Sequence, residues 1–445
     1  MRACVIGAGV SGLTVADALT AAGWQVLLLE RAPVVGGLAR SWRYGPFTFD
    51  VGPHRFHTQR ETVNNFIRDV LGEAAVRIGR RSAVYFRGRY HEWPLRADSL
   101  LKLPPWVALR ALRDLVARPR FDGRSFESYV VSRYGWTLYD LFFRPYTEKF
   151  AFEACAALHP TWASASVQRA LIDRRLKLGG LSDVVRMLFL PKPQSVAFLY
   201  PRGGCGVFAE SLARRVVGRG GEIVTGASDV ELVSRAERVH AVRFAGREET
   251  ADHFVWTAAL PLLMRQLRLA DVGLRYMDTV FFNLELRRRL RSPFQWIYYG
   301  ASDIGFVRVS LPRHFDEGNV PEGRDALCVE VTAHEPRILE RPEDEIPRVL
   351  VDIERVGLAN AADVDRVHLE VVRETYPIYR IDYLQQRSRA LRALARMRNV
   401  LATGRTGAFL YNNMDDSIAM GLAAARRVIK SLSETSSHVA EKFSG

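Results

Sequence analysis

The sequence predicts an α/β protein: a parallel-sheet domain assembled from separated chain segments, an inserted helical region, and an antiparallel sheet. Three observations lead there. Residues 2–30 read as strand, glycine-rich turn, helix and strand. Val5 and Ile6 close the first strand, Leu13, Ala16, Leu19 and Ala22 recur at helical spacing, and Val26 to Leu29 is an apolar run. Between residues 75 and 200 the pattern turns to amphipathic helices, and from 279 onward short aromatic and β-branched segments suggest antiparallel strands. The 445 residues, 48% hydrophobic and 25% charged, suffice for two or three cores of domain size.

Taken in order, residues 1–75, 200–265 and 395–432 are assigned to the parallel-sheet domain, 76–199 to a mainly helical insertion, and 266–394 to the antiparallel sheet. The insertion opens with a hairpin, Ala83 to Phe86 and Arg89 to His91, turning near Gly88. Helices follow at about 105–117 and 126–143. A helix at about 206–218 precedes short strands near 222–225, 229–234, 238–244 and 252–257. Strands of the antiparallel sheet are placed at 279–287, 294–299, 304–310 and 326–333. The last helix starts near Met414 and runs to about Ile429, and 433–445 reads as a polar, flexible tail.

Composition excludes several classes. Cys4, Cys155, Cys205 and Cys328 are far apart with no C-x-x-C pair, which argues against a disulfide framework or zinc knuckle and for reduced thiols. No apolar run approaches the roughly 18–20 residues of a membrane helix. The chain enters a buried strand at once, so a cytoplasmic protein without a secretion signal is expected. The net charge is +14, yet of 63 basic residues only six are lysine and the arginines are dispersed. That suits solvated faces and anionic small ligands, since the guanidinium fork matches phosphate. No basic segment interleaved with aromatics suggests nucleic acid.

Gly7-Ala8-Gly9-Val10-Ser11-Gly12 follows a strand and opens a helix. Gly7 permits the tight turn, Gly9 lets a pyrophosphate approach the backbone, and Gly12 allows close helix–strand packing. The helix N-terminus adds free N–H groups and a positive dipole end. Glu30, ending the second strand, is placed to accept hydrogen bonds from an adenosine ribose. A Rossmann-type dinucleotide site is therefore expected.

Directly after Glu30 comes Arg31-(x)4-Gly36-Gly37-(x)2-Arg40-Ser41, which resembles the second FAD fingerprint of amine oxidase-like flavoproteins. Gly404 and Arg405 lie between a strand (Val400 to Thr403) and Asp415-Asp416-Ser417, which opens an apolar helix. In flavoproteins of this shape that helix N-terminus faces the flavin, and Asp415 reads equally as a helix cap. The expected cofactor is non-covalent FAD, bound by Gly7, Gly9, Gly12, Glu30, Arg31, Gly37, Arg40, Val230, Gly404, Arg405, Met414 and Asp415.

Gly52-Pro53-His54-Arg55-Phe56-His57-Thr58 resembles the G-P-H-x-F-H-T segment of UDP-galactopyranose mutases. Arg144-Pro145-Tyr146-Thr147-Glu148-Lys149 resembles their P-Y-T-x-K segment, and Tyr411-Asn412-Asn413-Met414 their C-terminal turn. Tyr376-Pro377-Ile378 and Phe306-Val307-Arg308 fall in the family's order. The resemblance implies a redox-neutral exchange of pyranose and furanose forms of a nucleotide sugar, with N5 of reduced FAD as nucleophile at the anomeric carbon. It implies His54, His57 and Arg308 as catalytic residues, and Tyr146, Arg308, Tyr376, Tyr411 and Asn413 as substrate contacts. An external reductant such as NAD(P)H or a reductase is implied as well. Two departures stand out: Asn413 replaces a usual Asp, and Phe150-Ala151-Phe152 replaces Gln-Trp-Gly. The family's mobile-loop arginine has four candidates, Arg169, Arg174, Arg175 and Arg186.

The residues leave alternatives open. Strand alternation allows Arg308 either a solvated face or a pocket, and Tyr376 and Tyr411 are packing aromatics or hydroxyl donors. Lys149 either neutralises Glu148, is solvated, or serves the site. His54 and His57 lack a third metal ligand, so no metal is expected. The alternative activity is an FAD oxidase or desaturase of the protoporphyrinogen oxidase or amine oxidase type, with Phe281, Phe282, Trp296, Tyr298 and Tyr299 lining an apolar pocket.

Overall fold

A computed structural model describes residues 1–93, 104–117, 119–163, 197–333 and 335–443. Its parallel sheet has five strands in the order Val400–Ala402, His253–Trp256, Arg2–Ile6, Gln25–Leu29, Glu222–Val224, drawn from segments far apart in the chain. Apolar runs without alternation suit strands covered on both faces, and Ala3 to Ile6 and Val26 to Leu29 are buried. Helix Val10–Ala21 covers one face. Its buried Asp17 pairs with Arg215 and Arg219 at 3.0 and 2.7 Å, so a carboxylate that would be costly to bury alone fastens this helix to helix Gly206–Gly218.

The second sheet has seven strands in the order Val364–Pro377, Tyr276–Leu286, Asp325–Ala333, Arg308–Ser310, Trp296–Tyr299, Ser82–Phe86, Arg89–Trp93. All neighbours are antiparallel except Trp296–Tyr299 and Ser82–Phe86. Cross-strand partners share a face, so the register defines rows of side chains. One row reads Trp93, Ser82, Trp296 and Ser310. Two residues along, the next reads His91, Val84, Tyr298, Arg308 and Glu330. Ile297, Val309, Val329 and Phe282 alternate onto the opposite face, in a core that includes Val349 and Ile353 of helix Ile346–Arg355.

Four differences from the expected elements have physical causes. The hairpin assigned to the helical insertion is the edge of the seven-stranded sheet, because two short strands cannot bury a face alone. The 14-residue strand Val364–Pro377 was not expected, since charges along this edge strand mask its alternation. The helix expected over 126–143 ends at Leu138. Gly135 inside it takes φ +78°, and a π-helical turn over Tyr139–Phe143 leads into helix Arg144–Ala151. The last helix runs to Phe443 through the presumed tail, where no Gly or Pro interrupts propagation.

Candidate active site

The glycine turn separates structural glycines from one that the protein itself does not require. A Cβ on Gly7 would lie 2.5 Å from Thr257 Oγ1, and one on Gly12 would lie 1.9 Å from Gly7 O. The φ of +99° at Gly7 and the backbone contact at Gly12 therefore require glycine at both. A Cβ on Gly9 would meet nothing within 4 Å, and Gly9 has an ordinary φ of −74°. The space above Gly9 suits the close approach of a pyrophosphate to the backbone, so the cradle fits a dinucleotide.

The surroundings lock this turn. Glu30 accepts the N–H groups of Ala8 (2.7 Å) and Ala32 (2.9 Å), tying the turn to the end of the second strand. Thr257 Oγ1 donates to the Ile6 and Gly7 carbonyls. Gly36 N–H reaches Ala8 O at 2.8 Å, and a Cβ on Gly37 would lie 3.1 Å from Gly9 Cα. The Gly36-Gly37 pair thus lies directly against the turn. Arg40, half-buried, stacks on Trp42 at 5.4 Å, and burial lowers its pKa. Arg31 instead pairs at the surface with Glu374 at 3.3 Å. Ala227 N–H bonds Glu30 O, and three residues on, the Val230 carbonyl accepts from Gln266, which brings Val230 toward this end of the sheet. Gly404 has φ +83°, and a Cβ there would strike Ser11 Oγ at 2.7 Å, so the Gly404 segment packs against the first helix.

The open face of the seven-stranded sheet carries the second group. Arg308 forks onto Glu330, Nε to Oε1 and Nη2 to Oε2, both 2.6 Å, and Nη2 also donates to the Tyr376 hydroxyl at 2.8 Å. Of the two faces open to Arg308, the structure selects the buried one, with its charge matched by Glu330. Arg405 donates to the carbonyls of Thr375 and Asn412 and lies over the rings of Tyr376 (4.9 Å) and Tyr411 (4.6 Å). Tyr376 and Tyr411 meet edge to face at 5.3 Å, and Tyr146 meets Tyr298 likewise at 5.9 Å. Among the described residues the hydroxyls of Tyr146, Tyr298 and Tyr411 make no hydrogen bond, although burial raises the pKa of Tyr146 and Tyr411.

His54 sits beside this cluster. Burial, then the charges of Arg308 and Arg405, push its pKa down to about 4. Its Nδ1 lies 3.3 Å from the Gly52 carbonyl, which can only accept, so Nδ1 carries the proton and Nε2 is left as an acceptor. The unfolded chain takes up the His54 proton first. Stability contributed at this site therefore falls as pH drops from about 6.5 to about 4, by roughly 3 kcal/mol in all, and levels off below. We expect His54→Gln to flatten that part of a urea-midpoint profile against pH; an unchanged profile would assign the acid loss elsewhere.

Other expected residues are placed differently. His57 and Asn413 are exposed. Lys149 donates to the carbonyls of Tyr299, Ala301 and Phe306, and burial lowers its pKa to about 7. It fastens helix Arg144–Ala151 to the sheet and does not neutralise Glu148, which accepts the Cys155 N–H. Asp415 is not the cap of the last helix. That helix begins at Met414, placing Asp415 within the first turn, and it is Asp416 that reaches back to the Asn413 N–H at 3.4 Å. Met414 is buried against Cys205, 3.5 Å between sulfurs. Phe282 and Tyr299 belong to the opposite core, so they do not line this face. Arg169, Arg174, Arg175 and Arg186 lie outside the described residues. All four cysteines are buried and free, and no metal-binding cluster occurs among the described residues.

Sequence reasoning missed Glu330 and Thr257, and it gave Tyr298 only an apolar-pocket role in the alternative reading. The signal for Glu330 was an acid inside the apolar run Leu327 to Val331, which is costly to bury unless a partner faces it.

The fold is shared with flavoproteins of several activities. A crystal structure of reduced UDP-galactopyranose mutase superposes with a TM-score of 0.81 at 21% identity, covering 96% of this chain and 95% of that one. A protein described as a putative protoporphyrinogen oxidase, from Exiguobacterium sp. 255-15, gives 0.73 at 17%, covering 96% and 98%. By sequence, the zeta-carotene-forming phytoene desaturase of Myxococcus xanthus is 25% identical over 376 residues, 74% of this chain and 71% of its own. A probable UDP-galactopyranose mutase of Klebsiella pneumoniae is 28% identical over 155 residues, 33% of this chain and 39% of its own. No helix among the described residues is long and apolar enough to cross a membrane. Residues 10–429 match the flavin containing amine oxidoreductases, and the chain belongs to that family as an enzyme whose cofactor is FAD.

Proposed function

We propose that the protein is a redox-neutral mutase that interconverts pyranose and furanose forms of a nucleotide sugar. One observation carries this reading: three tyrosine hydroxyls that have no hydrogen-bond partner among the described residues cluster with the Arg308–Tyr376 pair at one sheet face. Such a surface binds a polar, anionic ligand; a polyene or tetrapyrrole would call for apolar walls. Likeness to UDP-galactopyranose mutase over nearly the whole chain adds support.

Gly7, Gly9 and Gly12, with Gly37 and Arg40, would hold the FAD pyrophosphate, and Glu30 and Val230 the adenosine end. The segment from Gly404 to Asp415 would border the flavin. When bound and reduced, FAD supplies the N5 nucleophile for the anomeric carbon. The chain binds and orients. The hydroxyls of Tyr146, Tyr376 and Tyr411 would donate hydrogen bonds to the leaving diphosphate, and Arg308, fixed by Glu330, orients Tyr376. Neutral His54 offers Nε2 to a sugar hydroxyl proton. His57 and Asn413 lie at the rim. Arg405 serves as support for the two tyrosine rings.

The test incubates dithionite-reduced enzyme with UDP-, GDP- and dTDP-hexopyranoses and seeks a furanose product. The phytoene desaturase likeness favours a second reading, an oxidoreductase. Stoichiometric oxygen uptake without ring isomerisation would select it.

A further inference from the structure

Arg308 and Arg405, beside the tyrosines, are not the only guanidiniums at this sheet face. Arg308 is matched by Glu330, whereas Arg55 and Arg80 have no ion-pair partner among the described residues. Both guanidiniums lie over the same ring, Trp296, at 5.1 and 5.4 Å, and Arg55 also lies 6.0 Å from Phe198. Arg80 Nε donates to Ser82 Oγ at 3.1 Å, while its Nη2 is buried with no hydrogen-bond partner among the described residues. Among the described residues three more buried groups share that condition: Trp93 Nε1, Trp296 Nε1 and the Ser310 hydroxyl. All three belong to the register row Trp93, Ser82, Trp296, Ser310, so they share one sheet face. Among the described residues Asp415 is the carboxylate that acts on Arg55, from beyond ion-pair distance, so two cations sharing one counter-charge and a set of donors without acceptors describe half of a binding site. Burial lowers the pKa of both arginines, and a guanidinium is protonated throughout the range in which proteins fold.

We propose that Arg55 and Arg80, stacked on Trp296, form an oxyanion subsite that receives a phosphate or carboxylate of the ligand. Trp296 and Tyr298 are two residues apart on one strand, about 7 Å along it. A ligand holding one polar group at the tyrosines therefore reaches the arginine pair with another, and a nucleotide sugar has that span. An oxyanion would accept from the donors and add the negative charge that Asp415 alone does not supply. The identity of the ligand rests on the nucleotide-sugar reading; the subsite itself requires only an anion.

The test is calorimetric titration of FAD-loaded wild type, Arg55→Gln and Arg80→Gln with inorganic pyrophosphate, UDP, UDP-glucose and UDP-glucuronate. Wild type is expected to bind pyrophosphate, and each Gln variant to bind it at least ~10-fold more weakly, the loss of one charge-assisted contact. Arg55→Lys and Arg80→Lys, which keep the charge, should recover part of the loss. If the subsite takes the diphosphate, UDP and UDP-glucose weaken alike. If it takes an acid on the sugar, UDP binding stays and the preference for UDP-glucuronate over UDP-glucose disappears. Pyrophosphate binding lost in the variants of a protein that makes no furanose would keep the subsite and reject the mutase reading. Unchanged binding of all four probes to folded, yellow Gln variants would overturn the proposal, as would wild type binding none of them.

Discussion

Gly9→Val is expected to yield a folded protein that has lost its flavin. Its backbone conformation suits any residue, and a Cβ there has 4 Å of clearance, so the apoprotein tolerates the change. The branched side chain occupies the space in which the pyrophosphate must meet the backbone, and losing even one charge-assisted contact costs roughly 1.5–3 kcal/mol. Flavin content per protein should fall at least ~10-fold, read from the visible spectrum of purified protein. Gly12→Val is the contrast. Its Cβ would overlap Gly7 O at 1.9 Å, so that variant should fail to fold at all. A fully yellow Gly9→Val protein would show that the turn does not carry the dinucleotide.

Arg308→Ala is expected to act on stability as strongly as on binding. The pair it breaks is nearly inaccessible, with the Glu330 side chain 1% exposed, and the substitution leaves a carboxylate buried against Cys328 and Gly52 without its fork. Breaking one partner of a buried pair costs about 3–5 kcal/mol, whereas replacing both by apolar residues of similar volume is often neutral. The urea midpoint of Arg308→Ala should therefore drop well below wild type, and the double variant Arg308→Met with Glu330→Leu should recover most of it. Both should bind UDP poorly, because Tyr376 loses the donor that orients it. Equal midpoints for wild type and Arg308→Ala would mean that the pair is not a structural unit.

Local features of the chain were legible in its sequence; long-range partnerships were not. The glycine turn, the first helix and the apolar strands follow from spacing that neighbours alone decide. Arg308 could be placed on a strand, yet its face depended on Glu330, 22 residues away, and Tyr376, 68 residues away. For Lys149 the sequence leaves Glu148, solvent and the site open, and three carbonyls take its protons instead. The hairpin at Ser82–Trp93 read correctly as two strands, while its sheet became visible only when Trp296–Tyr299 was seen to lie beside it. Arg55 stood in a quoted motif without distinction. Its meaning came from sharing Trp296 with Arg80, a meeting of three chain segments that no local pattern announces.

The central claim, chemistry that needs reduced flavin but consumes no electrons, is tested by counting. Under strict exclusion of oxygen, the protein is reduced with one equivalent of dithionite and supplied with excess nucleotide hexopyranose of the type that gave product in the panel. Furanose and flavin absorbance are then followed together. Many furanose molecules should form per electron pair, with the flavin spectrum reduced at the end as at the start. Flavin that changes redox state once per product, or a reduced enzyme that forms an oxidised or desaturated product and no ring isomer, would contradict it.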